Sequence, residues 1–221
     1  MAHRTVQHDQ VVIQTEGLTL EGDLQRPGGA TGLVIFAHGS GSSRHSSRNR
    51  YVARNLNDAG LATLLFDLLT GQEDVIDRQT RELRFDIPML SARMAGAVDW
   101  AQKALQTEGL RIGLFGASTG AAAALNAAAE RPASVAAVVS RGGRPDLAAP
   151  NLPRVKAPTR LIVGGEDGPV IGMNREAYDL LDLENKDLTI VPGATHLFEE
   201  PGKLDEVARL TAEWFDRFLQ P

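Results

Sequence analysis

Two hydrophobic rhythms alternate along this chain. Leu33–Ala37 and Leu61–Phe66 are short continuous apolar runs, the pattern of strands buried on both faces. Arg111–Phe115, Ser134–Ser140, Thr159–Val163 and Leu188–Val191 read as further strands. Between them the period changes to that of a helix. Arg50–Ala59 is closed by Gly60, Pro88–Leu105 carries Met89, Leu90, Met94, Ala97, Val98, Ala101 and Leu105, and Ala121–Glu130 is rich in alanine. Met173–Leu183 and Leu204–Leu219 follow, the last with Val207, Leu210, Trp214, Phe215 and Phe218 on one stripe. At the N-terminal end, Val11–Thr15 and Leu18–Leu24 flank Glu16-Gly17, the second with period-two alternation, and predict an antiparallel hairpin at a sheet edge. Asp67–Asp86 is polar and irregular, with room for a short helix.

Strands alternating with helices imply an α/β fold: a mostly parallel central sheet behind an N-terminal antiparallel hairpin, with helices on both faces. Residues 1–221 are expected to form a single domain, and 43% hydrophobic residues supply a sizeable core. Right-handed crossovers bring the C-terminal ends of the strands to one rim, where such sheets bind ligands. His38, Ser118, Arg141, Asp167 and His196 each fall just after a predicted strand.

Composition narrows the partners. A net charge of −5 leaves no basic footprint for nucleic acid and no polybasic patch for a membrane surface. With no cysteine, thiol catalysis, disulfides and thiolate metal sites are excluded. No apolar leader and no membrane-length apolar run is visible, so a cytoplasmic protein is expected. The expected partner is a small-molecule substrate, with no nucleic acid, no membrane, no cofactor and no metal, on a monomer or homodimer.

The chemistry centres on Gly116-Ala117-Ser118-Thr119-Gly120, a G-x-S-x-G turn between a strand and a helix. A serine at so sharp a turn needs small residues two positions away on either side, and Gly116 and Gly120 meet that need. The first amides of the following helix then favour negative charge beside the serine. A serine hydroxyl needs a base, and the base needs a carboxylate on its other nitrogen. Of five histidines, His3 and His8 lie in a stretch expected to be mobile, His45 is in a polar loop, and His38 ends a buried strand in a loop-supporting position. His196, between the last strand and the last helix, remains as the base. Glu166 and Asp167 both qualify as the acid. Asp167 is chosen because Gly164 and Gly165 allow the chain to turn back; otherwise both acids merely start a turn. His38-Gly39-Ser40-Gly41-Ser42-Ser43 is a small-residue loop whose amides can face a ligand, which makes Gly39 and Gly41 candidate substrate contacts. Arg44, with His45, Arg48 and Arg50, and Arg141, with Arg144, crowd two rim loops. They suit an anionic substrate group, and equally a solvated basic patch or ion pairs with Asp67 and Asp86.

Ser118, Asp167 and His196 in that order, with His38-Gly39 after the third strand, resemble the α/β-hydrolase superfamily, and within it the small dienelactone-hydrolase-like esterases. The resemblance runs from the N-terminal hairpin to the last helix. It implies that Ser118 is the nucleophile, His196 the general base and then acid, and Asp167 its orienting partner. It also implies an oxyanion hole made by the Thr119 and Ser40 amides. The chain departs from dienelactone hydrolases proper, which carry cysteine where Ser118 stands. Arg141–Pro158 is too short for the helical cap many superfamily members insert, so an open cleft for short-acyl esters is expected, with Asp67–Asp86 the one segment long enough to cover it. Lactone or thioester hydrolysis and perhydrolysis would use the same three residues, and a non-catalytic binding protein on this scaffold is the alternative from another class.

Overall fold

A computed structural model describes residues 5–104 and 109–220. His3 and Leu105, considered above, lie outside the described residues. In chain order the strands are β1 (Val6–Thr15), β2 (Leu18–Pro27), β3 (Gly32–Ala37), β4 (Ala62–Phe66), β5 (Arg111–Ala117), β6 (Val135–Arg141), β7 (Thr159–Gly164) and β8 (Lys186–Val191). The helices are α1 (Ser47–Asp58), α2 (Gly71–Thr80), α3 (Ile87–Ala104), α4 (Thr119–Glu130), α5 (Gly168–Leu180) and α6 (Lys203–Leu219). The strands form one sheet in the order β1-β2-β4-β3-β5-β6-β7-β8. β3 to β8 run parallel, and the β1–β2 hairpin joins through antiparallel pairing of β2 with β4.

The hairpin turns on Glu16 and Gly17, both at positive φ (49° and 75°), which suits the right-handed twist of the flanking strands. β1 begins at Val6, so His8 lies inside a strand, opposite Gln25, and not in a mobile tail. An edge strand with water on much of its surface can carry polar residues such as Gln7, His8 and Asp9, and the hydrophobic rhythm is lost there.

Parity along the buried strands divides the core. Val34, Phe36, Phe115, Val139 and Ile162 face α1 and α6, while Leu33, Ile35, Leu114, Val138 and Leu161 face α3, α4 and α5. Thr119 to Ala129 are all buried, because α4 is enclosed by the sheet, α3 and a 3₁₀ stretch over Pro145–Arg154. Alanine is the residue that favours helix most while letting neighbours approach closely. At both ends of the turn before α4, a side chain would collide with backbone. A Cβ on Gly116 would stand 2.4 Å from Ala121 Cα, and one on Gly120 would stand 2.4 Å from the Ala37 carbonyl oxygen.

Two helices begin earlier than the hydrophobic rhythm predicts. α1 starts at Ser47 because the Ser46 hydroxyl accepts from Asn49 N–H. α5 starts at Gly168, directly after Asp167, with Pro169 in its first turn, where a missing N–H costs nothing. Asp67–Asp86 contains α2 and a short 3₁₀ turn, Leu83–Phe85. The Pro145–Arg154 stretch packs beside α4 and α5, so among the described residues no cap domain rises over the rim. Among the described residues no helix is long and apolar enough to cross a membrane.

Gly120→Ala is expected to destabilise the fold by about 2–3 kcal/mol, the upper range for overpacking against rigid backbone. Gly172→Ala in α5, where a Cβ meets nothing within 4 Å, should be neutral or slightly stabilising. Urea unfolding of the two variants tests this. Equal effects would mean that the turn has room to relax.

Candidate active site

Ser118 sits between β5 and α4 with φ 52° and ψ −122°, a backbone geometry that non-glycine residues rarely adopt. Its N–H donates to the Arg141 carbonyl at 3.2 Å, and its own carbonyl accepts from Ala121 at 3.1 Å and Arg144 at 3.0 Å. The loop after β6 therefore holds the turn from one side. Gly39 holds it from the other, since a Cβ there would stand 3.1 Å from Ser118 Cβ.

Asp167 and His196 come from the loops after β7 and β8. The two loops meet backbone to backbone at Gly164, where a Cβ would stand 2.3 Å from the Ala194 carbonyl oxygen. Gly165 N–H donates to Val191 and Glu166 N–H to Ala194. In this frame Asp167 Oδ2 lies 2.6 Å from His196 Nδ1, while Glu166 is exposed. Gly142, at φ 50°, lies against the histidine, its Cβ position 3.0 Å from His196 O and 3.6 Å from His196 Cε1. Ser118, Asp167, His196 and Gly39 thus meet at one end of the sheet. Among the described residues, the Thr119 and Ser40 amides donate to no carbonyl or side chain, so both remain available to an oxyanion. Such an arrangement can pass a proton from a hydroxyl to an imidazole steadied by a carboxylate. No group of three or more His, Cys, Asp or Glu among the described residues could hold a metal ion.

His38 supports the loop. Its Nε2 accepts from Leu68 N–H at 3.0 Å, so the proton is on Nδ1, which donates to the Gly39 carbonyl at 3.0 Å. Burial pushes the ring below its ordinary value of 6.5, against the pull of the Gly39 carbonyl and Asp67.

The arginines divide. Arg44 is engaged by carboxylates: its backbone N–H and guanidinium both bind Asp67, its Nη2 binds Glu21 at 2.7 Å, and Asp23 is 3.7 Å from Nε. Burial opposes its charge, but these carboxylates outweigh it and hold Arg44 above the ordinary arginine value. Ion pairing is therefore the role the structure gives Arg44. Asp86 pairs with no arginine and instead caps α3 through Met89 N–H. Arg141 is the last residue of β6 rather than a loop residue, and its guanidinium is buried.

Beside the turn, a cleft is lined by Gly39, Ser40, Gly41 and Thr119 on one side and by Leu69, Arg84 and Leu90 on the other. Leu90 comes from α3, while Leu69 and Arg84 flank α2 in a segment that is anchored at both ends. Thr70 and Glu73 form a reciprocal cap, Arg93 grips Glu73 at 2.6 and 2.8 Å, and Asp77 takes the Arg84 N–H and Nε at 3.0 and 2.7 Å. Sequence reasoning missed these anchors, and also Glu200, which binds the Thr195 backbone and hydroxyl next to His196. The capping box T-x-x-E at Thr70–Glu73 was the one local signal for any of them.

The model of the dienelactone hydrolase family matches residues 20–220. The chain belongs to the dienelactone hydrolase family. A crystal structure of a dienelactone hydrolase from Anabaena variabilis is similar at 59% identity with a TM-score of 0.95, covering 97% of this chain and 99% of that one. An esterase from Pyrococcus furiosus shares the fold, with a TM-score of 0.79 at 21% identity over 96% of this chain and 92% of its own. A Mycobacterium tuberculosis protein whose name proposes a phosphoribosyl transferase is 51% identical over 207 residues. That match covers 94% of this chain and 46% of the relative, so the chain spans about half the relative's length. Family and fold thus agree on an α/β-hydrolase architecture.

The His38 geometry sets a pH dependence for this family member. A histidine whose folded value lies below 6.5 resists protonation in the fold and accepts it when unfolded, so stability falls as pH drops below about 6.5. His38→Phe should cost about 1–3 kcal/mol at pH 7.5 by stranding the Leu68 N–H, and should flatten the fall between pH 7.5 and 5.5 in urea titrations. An unchanged slope in the variant would assign that dependence elsewhere.

Proposed function

We propose that this protein is a serine hydrolase that cleaves small or short-acyl carboxylic esters through an acyl-enzyme on Ser118. The observation that carries the reading is the 2.6 Å pair of Asp167 with His196 Nδ1, where His196 lies against Gly142, the neighbour of the residue whose carbonyl accepts the N–H of the strained Ser118. Nδ1 faces the carboxylate, which leaves Nε2 as the nitrogen that takes the serine proton. Ser118 Oγ attacks the ester carbonyl, and His196 receives its proton as the C–O bond forms. The tetrahedral oxygen gains its negative charge beside the Ser40 and Thr119 amides and the N-terminus of α4. Collapse expels the alcohol, which takes the proton from His196. Water then repeats the sequence on the acyl-serine, regenerating the free hydroxyl.

The 59% identity to a dienelactone hydrolase favours one further reading with the same residues, lactone opening, in which the expelled alkoxide stays tethered to the acyl group. Phosphoribosyl transfer is not assigned to this chain, because the relative so named is matched over less than half of its length.

The test is steady-state kinetics on nitrophenyl esters. Ser118→Ala and His196→Ala should each remove nearly all kcat/KM on the acetate, and the double variant should lose little more, since the residues act as a unit. Asp167→Asn should remain folded and slow the reaction by roughly 10⁴-fold through the wrong histidine tautomer. For the wild type, kcat/KM should peak at about two to four acyl carbons and fall more than tenfold by about ten, a difference of only about 1.4 kcal/mol in the barrier. Multiplicative losses in the double variant, or activity that survives Ser118→Ala, would sink the mechanism.

A further inference from the structure

Among the described residues, Arg141 is the only arginine that is nearly fully buried, at 6% exposed, and has no carboxylate partner. It follows Ala137 and Val139 in strand parity, so its side chain runs into the layer between the sheet and α1. There Nη2 reaches Asn49 Oδ1 in the first turn of α1 at 3.5 Å, the limit of a hydrogen bond. Nε and Nη1 are buried and donate to nothing. The charge that acts on the group is another cation, Arg48, whose own Nε is likewise buried and unpartnered. Burial, with Arg48 adding to it, pushes Arg141 down to about 10, so it stays protonated at neutral pH. The N-terminus of α1, a helix of 12 residues, adds a third positive element. A buried charge without a counter-charge is among the costliest groups a fold can hold, and buried donors are normally satisfied.

We propose that Arg141, Arg48 and the first turn of α1 form a binding site for a small monovalent inorganic anion of about the size of chloride. Size follows from the shielding: Arg141 Nε and Nη1 and Arg48 Nε are all covered from solvent, so an acyl or phosphate group on a substrate does not reach them. The site is linked to both halves of the candidate catalytic apparatus. The Arg141 carbonyl accepts the Ser118 N–H, and Gly142 packs on the His196 ring and backbone. Arg48 binds Glu199 at 2.8 Å, in the loop that carries His196. The bound anion supplies the counter-charge that Arg141 lacks, Arg48 having Glu199, and holds these segments together, and hydrolysis rises with its occupancy. That last effect rests on the function proposed above; binding itself does not.

Thermal unfolding in sodium chloride and in sodium gluconate at constant ionic strength tests the site. Chloride should raise Tm saturably, by about 3 °C or more at 150 mM, since a ligand bound only to the folded state stabilises it. Arg141→Met should abolish the saturable response and, without chloride, melt no lower than the wild type, because it removes an uncompensated charge. Arg48→Met, at a partly exposed position, should weaken the response at least tenfold in chloride concentration. Crystals soaked in bromide should show an anomalous peak within about 4 Å of the Arg141 guanidinium. Identical melting in the two salts, no bromide peak, or an Arg141→Met variant that melts far below the chloride-free wild type would overturn the proposal. So would a preference for anion-bearing esters that depends on Arg141 without any chloride response, which would give the guanidinium to the substrate. A chloride-dependent Tm in a protein that hydrolyses no ester would leave the anion site standing and remove the esterase reading.

Discussion

The close approach of α4 to the ends of β5 and β3 is the constraint from which the rest of this structure follows. Strand and helix meet with backbone atoms where side chains would normally be, at Gly116 against Ala121 and at Gly120 against Ala37 and His38. A turn that tight leaves Ser118 at positive φ, at a cost on the order of 1–3 kcal/mol that the surrounding contacts must offset. They do so by hydrogen bonding both backbone groups of Ser118 to the loop after β6 and by packing Gly39 against its Cβ. The same geometry leaves the Thr119 amide, the first of α4, without an acceptor directly after the serine. Strain, an unpaired amide and a partly exposed serine are thus three consequences of one steric fact.

Around that turn the rim is held by charge rather than by apolar packing. Arg44 ties the loop after β3 to β2 and to the end of β4, Arg93 and Asp77 fix the two ends of the α2 segment, and Glu200 steadies the loop of His196. Exposed ion pairs contribute little, but Arg93 and Asp77 are almost fully buried, so removing either partner leaves an unpaired charge in a dry setting. Hydrolysis needs groups held within fractions of an ångström, and a rim made of loops requires such anchors to supply that order. Arg141 departs from this pattern, because a buried cation next to the turn has only another cation for company.

The sequence made the turn, its serine and the order serine–aspartate–histidine readable because each has a local cause: glycines spaced by a steric clash, or a residue directly after an apolar run. The parallel sheet and its two helix layers were readable for the same reason. The first half of β1 was not, since an edge strand can be polar on both faces, and the start of α5 was hidden by Gly168-Pro169, which reads as a turn. The arginines show the limit most clearly. Arg44 and Asp67 are 23 residues apart and meet only across the sheet edge, so an ion pair and a substrate anion were equally open until the fold was known. Arg141 reads as a loop residue from its Gly-Gly neighbours, whereas β6 continues through it and turns its side chain inward.

The most direct test of the central claim is mass spectrometry of the intact protein after brief incubation with a fluorophosphonate, followed by peptide mapping. Under the proposed mechanism, with His196 as its base and the Thr119 and Ser40 amides as its oxyanion donors, Ser118 should take up one phosphonyl group per chain, with no other residue labelled. The adduct should be absent from Ser118→Ala and form far more slowly in His196→Ala. An unlabelled wild-type protein, or an adduct mapped to a different residue, would contradict the account.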